Sequence, residues 1–287
     1  MILKQTIDLK LFVLICVALL FLSANSILAR MAIVTQNIDA FTFTFLRIIS
    51  GSILLFIIYF YRKKRVDISL KKNWISGFML FLYAICFSYS YINMLAGIGT
   101  LILFAVVQLS MIFIALFYKE KMSLNKTIGI LVAFIGLVYL LYPKEDFTIS
   151  YFHTFLMVIS GTAWGVYSVL GKSSTSAIFN TTDNFFKASI FTLIFMLMFI
   201  SEVHLDLYTF CLAITSGAIT SALGYLLWYE ILPKIEIITA SVLQLLVPII
   251  AIFLSILFLD ESLTLELIVS TILILVGIFI ALKRKRV

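Results

Sequence analysis

Residues 235–282 read IEIITASVLQLLVPIIAIFLSILFLDESLTLELIVSTILILVGIFIAL. An apolar run interrupted by Pro248 leads into a short acidic turn, Asp260-Glu261-Ser262, and a second apolar run carrying Gly277 follows it. The same outline stands 141 residues earlier: Glu261 falls on Glu120, Thr264 on Ser123, Leu265 on Leu124 and Gly277 on Gly136. A helix, an acidic turn and a glycine-bearing helix that recur in register form a repeat, and a repeat constrains the architecture more than any single element does.

Composition identifies the solvent. The 287 residues are 63% hydrophobic and 12% charged, with a mean hydropathy of +1.17. A soluble domain carries about 25% charged residues, so this chain lacks the charge to coat a water-facing surface. It reads as an all-α, polytopic membrane protein. Cys16, Cys86 and Cys211 are isolated in apolar runs and match neither a disulfide framework nor a zinc spacing.

A hydrocarbon layer about 30 Å thick takes about 20 apolar residues per helix. Ten stretches meet or approach that length, near residues 10–29, 40–61, 74–93, 97–118, 124–142, 151–171, 184–201, 207–229, 236–259 and 265–282. The first has the charged start of a signal peptide in Lys4 and Lys10, but its apolar stretch continues to Ala29 and its tail matches the sixth span. There Arg30 falls on Lys172 and Asn25 on Tyr167, so it reads as a retained helix. Arg47 in span two likewise falls on Lys187 in span seven, 140 residues on. The halves are then residues 1–143 and 144–287, each of five spans. Five is odd, so the second half enters the membrane upside down, the inverted-repeat plan of many carriers.

Charge tests that plan separately. With the N-terminus inside, the opposite loops hold only Arg30 and Lys144 of the 21 Lys and Arg, and Arg47 and Lys187 lie within spans. All the others fall on the inner side. That is a strong positive-inside bias, and it predicts ten spans with both termini cytoplasmic; the compact loops suit a plasma-membrane location. The net charge of +7 is thus read as topology and not as nucleic-acid binding.

No catalytic constellation, metal-ligand spacing or phosphate loop is present, and no cofactor is expected. The polar residues nearest mid-membrane are Gln108, Ser110, Ser241 and Gln244. Ser241 and Gln244 share a helix face, three residues apart, and Pro248 continues it while leaving the Gln244 carbonyl without its helical donor. The glutamines read either as interhelical packing glue or as the lining of a central path.

Aromatic residues recur at helical spacing: Tyr83, Phe87 and Tyr91 in span three, Trp164 and Tyr167 in span six, Tyr225, Trp228 and Tyr229 in span eight. They fit an interfacial belt or a pocket for small amphipathic metabolites. Arg47, roughly 10 Å deep at 1.5 Å per residue, and the shallower Lys187 either snorkel to the nearer surface or face a cavity. In the latter case they favour a carboxylate or phosphate on the substrate. Glu120 and Glu261 are expected to cap spans five and ten. Gly129 and Gly136 are expected to permit close packing of span five. The acids are expected in loops or at helix ends, which gives no support to proton coupling through a buried carboxylate.

Taken together, Ala163-Trp164-Gly165 followed by Lys172, Arg47 early in span two, Pro248 with Glu261 beyond it, Gly277, Lys119-Glu120 and Gly136 carry a family likeness. The whole chain resembles the EamA branch of the drug/metabolite transporter superfamily. Two positions depart from its pattern: Val107 stands where the first-half proline would fall, and Leu22-Ser23 replaces the Trp-Gly pair in span one. The resemblance implies a ten-helix carrier with a central cavity between inverted halves. Members move amino acids, other small metabolites and drugs, often outward. The expected partners are therefore a small-molecule substrate and the lipid bilayer. An alternating-access exporter of amino acids or related compounds is the leading expectation. Uptake of a charged metabolite and a non-transporting membrane scaffold or sensor remain the alternatives.

Overall fold

Within a bilayer the backbone's N–H and C=O groups find partners only in one another, and the helix pairs them inside a single segment. The computed structural model describes residues 9–64, 67–120, 122–141, 150–199, 205–259 and 265–282. Among the described residues there is no strand. The described residues form ten helices: α1 (Leu9–Val34), α2 (Ala40–Lys63), α3 (Trp74–Ser90), α4 (Ala96–Phe117), α5 (Leu124–Leu141), α6 (Tyr151–Gly171), α7 (Ala177–Phe199), α8 (Leu207–Lys234), α9 (Ile237–Leu259) and α10 (Leu265–Leu282). Of these, α1, α2, α4, α6, α8 and α9 are long and apolar enough to cross a membrane, while α3, α5 and α10 contain shorter apolar runs. Phe12, Ile53, Phe113, Phe253, Leu257 and Phe279 stand exposed on the bundle. Water would penalise such a surface; lipid tails match it.

Two helices are irregular. α8 widens into a π-helix over Thr215–Leu223. α9 is divided into Ile237–Gln244 and Leu246–Leu259. The break expected at Pro248 falls three residues before it, because the proline ring crowds the carbonyl four residues back, that of Gln244, and offers it no N–H.

Contacts between the first five helices and the last five are reciprocal. α3 packs on α6 and α8 on α1; α4 packs on α6 and α9 on α1; α3 packs on α7 and α8 on α2. The pairs α2–α7, α4–α9 and α5–α10 are each formed by corresponding helices. Glycines follow the same rule. A Cβ on Gly277 would lie 2.5 Å from the Gly129 carbonyl oxygen, and one on Gly136 would lie 3.0 Å from the carbonyl of Ser270, the residue corresponding to Gly129. The expected role of Gly129 and Gly136 is thereby located: they admit α10 to backbone contact.

Capping differs from expectation in one place. Asp39 accepts from the amides of Phe41 and Thr42 at the start of α2, and Asp206 from Thr209 at the start of α8. The Thr209 hydroxyl and amide hold the Asp206 carboxyl below its ordinary pKa. Glu120, however, caps α9 and not α5: its carboxylate accepts from Ile237 N at 3.0 Å and Ile238 N at 3.2 Å. Lys119 turns the chain with φ 57°. Ser123 occupies the cap of α5, accepting from Lys126 N at 3.3 Å. Proximity in sequence suggested the neighbouring helix; the nearest positive helix end in space is that of α9. Glu261 lies outside the described residues. Glu120→Ala is expected to destabilise the protein by about 1 kcal/mol, the usual value of a cap. Thermal unfolding in detergent measures this, and an unchanged midpoint would show that the Glu120 carboxylate does not act as a stabilising cap.

Candidate functional site

Arg47 lies one-third of the way along α2 and is completely buried. Its Nε donates to Ser221 Oγ at 2.9 Å, and Nη2 donates to Tyr225 OH at 2.5 Å and Tyr83 OH at 3.2 Å. The guanidinium also lies over the Phe87 ring, 5.0 Å from its centroid. Snorkelling is therefore excluded for Arg47 in this arrangement: three hydroxyls from α3 and α8 hold it inside. The π-helix and Gly217 bring α8 close enough to do so. A Cβ at Gly217 would fall 2.1 Å from the Arg47 carbonyl oxygen.

The π-helix also changes which side chains share a face. Ser216, Thr220 and Ser221 all donate to Asn25 Oδ1 on α1, at 3.0, 2.6 and 3.1 Å. Their i, i+4, i+5 spacing suits the wider turn, a deviation often found at functional sites. Ser221 thus links Arg47 to Asn25.

On the other side of Arg47 lies an aromatic cluster. Tyr225 donates to Tyr83 at 3.1 Å. Trp164 stands 4.9 Å from Tyr83 and 4.6 Å from Tyr225 between ring centroids. Tyr167 and Tyr229 extend the cluster, 4.8 Å apart, and Tyr229 OH donates to the Tyr167 carbonyl. Trp228 Nε1 donates to Ser168 Oγ at 3.1 Å. Trp164 Nε1 donates to Gln244 Oε1 at 2.7 Å, and Gln244 Nε2 reaches Met111 Sδ on α4 at 3.1 Å. A continuous polar and aromatic path therefore runs from α2 through α3, α8 and α6 to α9 and α4.

Most of the aromatic candidates do not form a belt. Trp164, Tyr167, Tyr225 and Trp228 are all buried, whereas the exposed tyrosines near helix ends are Tyr61, Tyr118, Tyr139, Tyr151 and Tyr208. Tyr91 is buried but peripheral: its hydroxyl meets Thr100 at 3.1 Å, and its ring reaches the cluster through Phe87. Ser241 donates to Ile238 within its own helix and adds no interhelical link. Gln108, one turn before Met111, is buried with both amide atoms lacking a hydrogen-bond partner. Burying such a group unpaired costs about 1–3 kcal/mol.

Lys187 is also buried, and its Nζ is 2.6 Å from the Asp183 carboxylate. Asp183 further accepts from Ser69 N and Asn73 Nδ2. This overturns the expectation that acids occupy only loops and helix ends. α7 begins at Ala177, earlier than residue 184, so Asp183 sits inside the helix. The i, i+4 spacing of Asp183 and Lys187 was the available signal. Asn25, Ser221 and Met111 left no comparable signal, since their roles depend on which helices adjoin.

The two departures from family pattern both lie at contacts between the halves. Gly165 lies against the Val107 carbonyl, and Ser23, its counterpart, donates to the Val247 carbonyl at 3.0 Å.

Comparison with known proteins agrees with this architecture. The profile of the EamA-like transporter family matches twice, over residues 9–142 and 152–283. An uncharacterized protein of Pseudomonas aeruginosa is 34% identical over 275 residues, 96% of this chain and 95% of its own. The uncharacterized transporter YoaV of Bacillus subtilis is 23% identical over 85% of this chain and 87% of its own. An uncharacterized transporter of Archaeoglobus fulgidus is 29% identical over 63% of this chain and 67% of its own. One crystal structure has the same fold, with a TM-score of 0.76 over 95% of this chain and 96% of its own at 16% identity.

Proposed function

The chain belongs to the EamA-like transporter family and is a multi-pass membrane transporter, and from that premise we propose that it exports small organic metabolites, amino acids or related compounds, by alternating access. The halves 1–143 and 144–287 cross the plasma membrane five times each in opposite senses, with both termini cytoplasmic. Support for the inversion comes from the reciprocal helix contacts, the double family match and the inward bias of Lys and Arg. The observation that carries the transport site is the Trp164–Gln244–Met111 link beside the Arg47–Tyr225–Tyr83 network, built from both halves and buried. A site shared by two rocking halves is remade when they move. The aromatic rings suit apolar parts of a solute, and the Gln108 amide supplies a donor and an acceptor still without partners.

Two measurements test this reading. In a variant with Cys16, Cys86 and Cys211 replaced by alanine, single cysteines at Thr35 and Ser173 should react from opposite sides of the membrane. These sites follow α1 and α6, so reaction from one side only would overturn the inversion. Labelled amino acids should move into everted vesicles and out of intact cells; net uptake by intact cells would reverse the proposed direction.

A further inference from the structure

Arg47 and Lys187 occupy corresponding places in the two halves but are neutralised differently. Lys187 has the Asp183 carboxylate at 2.6 Å. Arg47 has only neutral hydrogen-bond partners, the hydroxyls of Ser221, Tyr83 and Tyr225. An arginine keeps its charge in proteins, and an ion buried without a counter-ion is strongly unfavourable.

No carboxylate of the chain is free to serve it among the described side chains. Asp39 and Asp206 cap α2 and α8, and Glu120 caps α9. Asp183 pairs with Lys187, Glu230 with Lys234, Glu236 with Lys126, and Asp67 accepts from Tyr59. Two buried donors around Ser221 also lack acceptors: Nη1 of Arg47 and Nδ2 of Asn25. Ser221 accepts from the one residue and donates to the other.

We propose that the transported solute carries a carboxylate, and that Arg47, with Asn25 beside it, is the subsite that receives it. One uncompensated positive charge matches one carboxylate group. A phosphate, at about −1.5 to −2, would leave negative charge unbalanced in the same place. The solute's apolar part then faces Tyr83, Tyr225 and Trp164. This rests on the transport reading of the same site and adds the charge of the cargo to it.

The test uses the full-length protein in liposomes loaded with a labelled mixture of the twenty amino acids, or with the same mixture as carboxamides. Protein-dependent efflux of the acids should be at least about tenfold faster than that of the amides, the ratio that loss of one charge-assisted hydrogen bond gives. Arg47→Gln, which keeps amide donors and removes the charge, should bring the acids down to the amide rate. Amides moving as fast as acids through the unaltered protein would overturn the carboxylate subsite and leave the transporter reading standing. Absence of protein-dependent flux of either mixture would overturn both. An undiminished preference for acids in Arg47→Gln would remove Arg47 from the subsite. Should that variant not reconstitute, the acid-to-amide ratio of the unaltered protein decides, because equal rates alone exclude the proposal.

Discussion

Lys187→Met is expected to destabilise the folded protein by about 3–5 kcal/mol, the usual consequence of removing one member of a buried ion pair. Both side chains are fully buried, so the Asp183 carboxylate cannot turn to water when its partner is lost. Its remaining donors, Ser69 N and Asn73 Nδ2, are neutral. The double variant Asp183→Asn/Lys187→Met should recover most of that loss. An asparagine retains an acceptor for those two donors and needs no counter-ion. Thermal unfolding in detergent gives both comparisons. If the single variant unfolds at the wild-type midpoint, or if the double variant is no better than the single, the pair is not what holds α7 in place.

Gln244→Ala is the second large effect, and it falls on transport. Gln244 accepts from Trp164 Nε1 and reaches Met111, so it ties α9 to α6 and α4 beside the division of α9. Alanine leaves the buried indole N–H unpaired, which costs about 1–3 kcal/mol. Transport is therefore expected to fall roughly tenfold or more, since each 1.4 kcal/mol is a factor of about ten. Trp164→Phe in the same background removes the stranded N–H and should restore stability without restoring full transport. Flux in liposomes and the unfolding midpoint separate the two readings of the glutamine. Unchanged flux with lowered stability would make Gln244 packing glue and no part of the solute path.

The comparison of the two glutamines also shows how far local pattern extends. Both sit near the middle of apolar runs, which marks both as candidates for a central path. In the fold, Gln244 is engaged by two helices while Gln108 has both amide atoms unpartnered. Ser241, which shares a helix face with Gln244, bonds within its own helix. Helical periodicity places a side chain on a face; it does not say what the face meets.

Glu120 illustrates the same limit with charge. An acid ahead of a helix start reads as that helix's cap, because local electrostatics falls off within the first turn. The α4–α5 connection instead lies against the start of α9, and the cap crosses between halves.

By itself the sequence determined the solvent, most of the helical stretches, the duplication and the presence of two basic residues inside spans. Hydropathy, spacing and charge count are properties of the chain in order, and they survive without knowledge of contacts. Tertiary structure alone decided that Arg47 has only neutral partners while Lys187 has an acid, that a π-helix turns three hydroxyls toward Asn25, and that the aromatics gather inside instead of at the surface. Each of those depends on which helices adjoin and at what approach, and glycines such as Gly217 set that distance through contacts made far away along the chain.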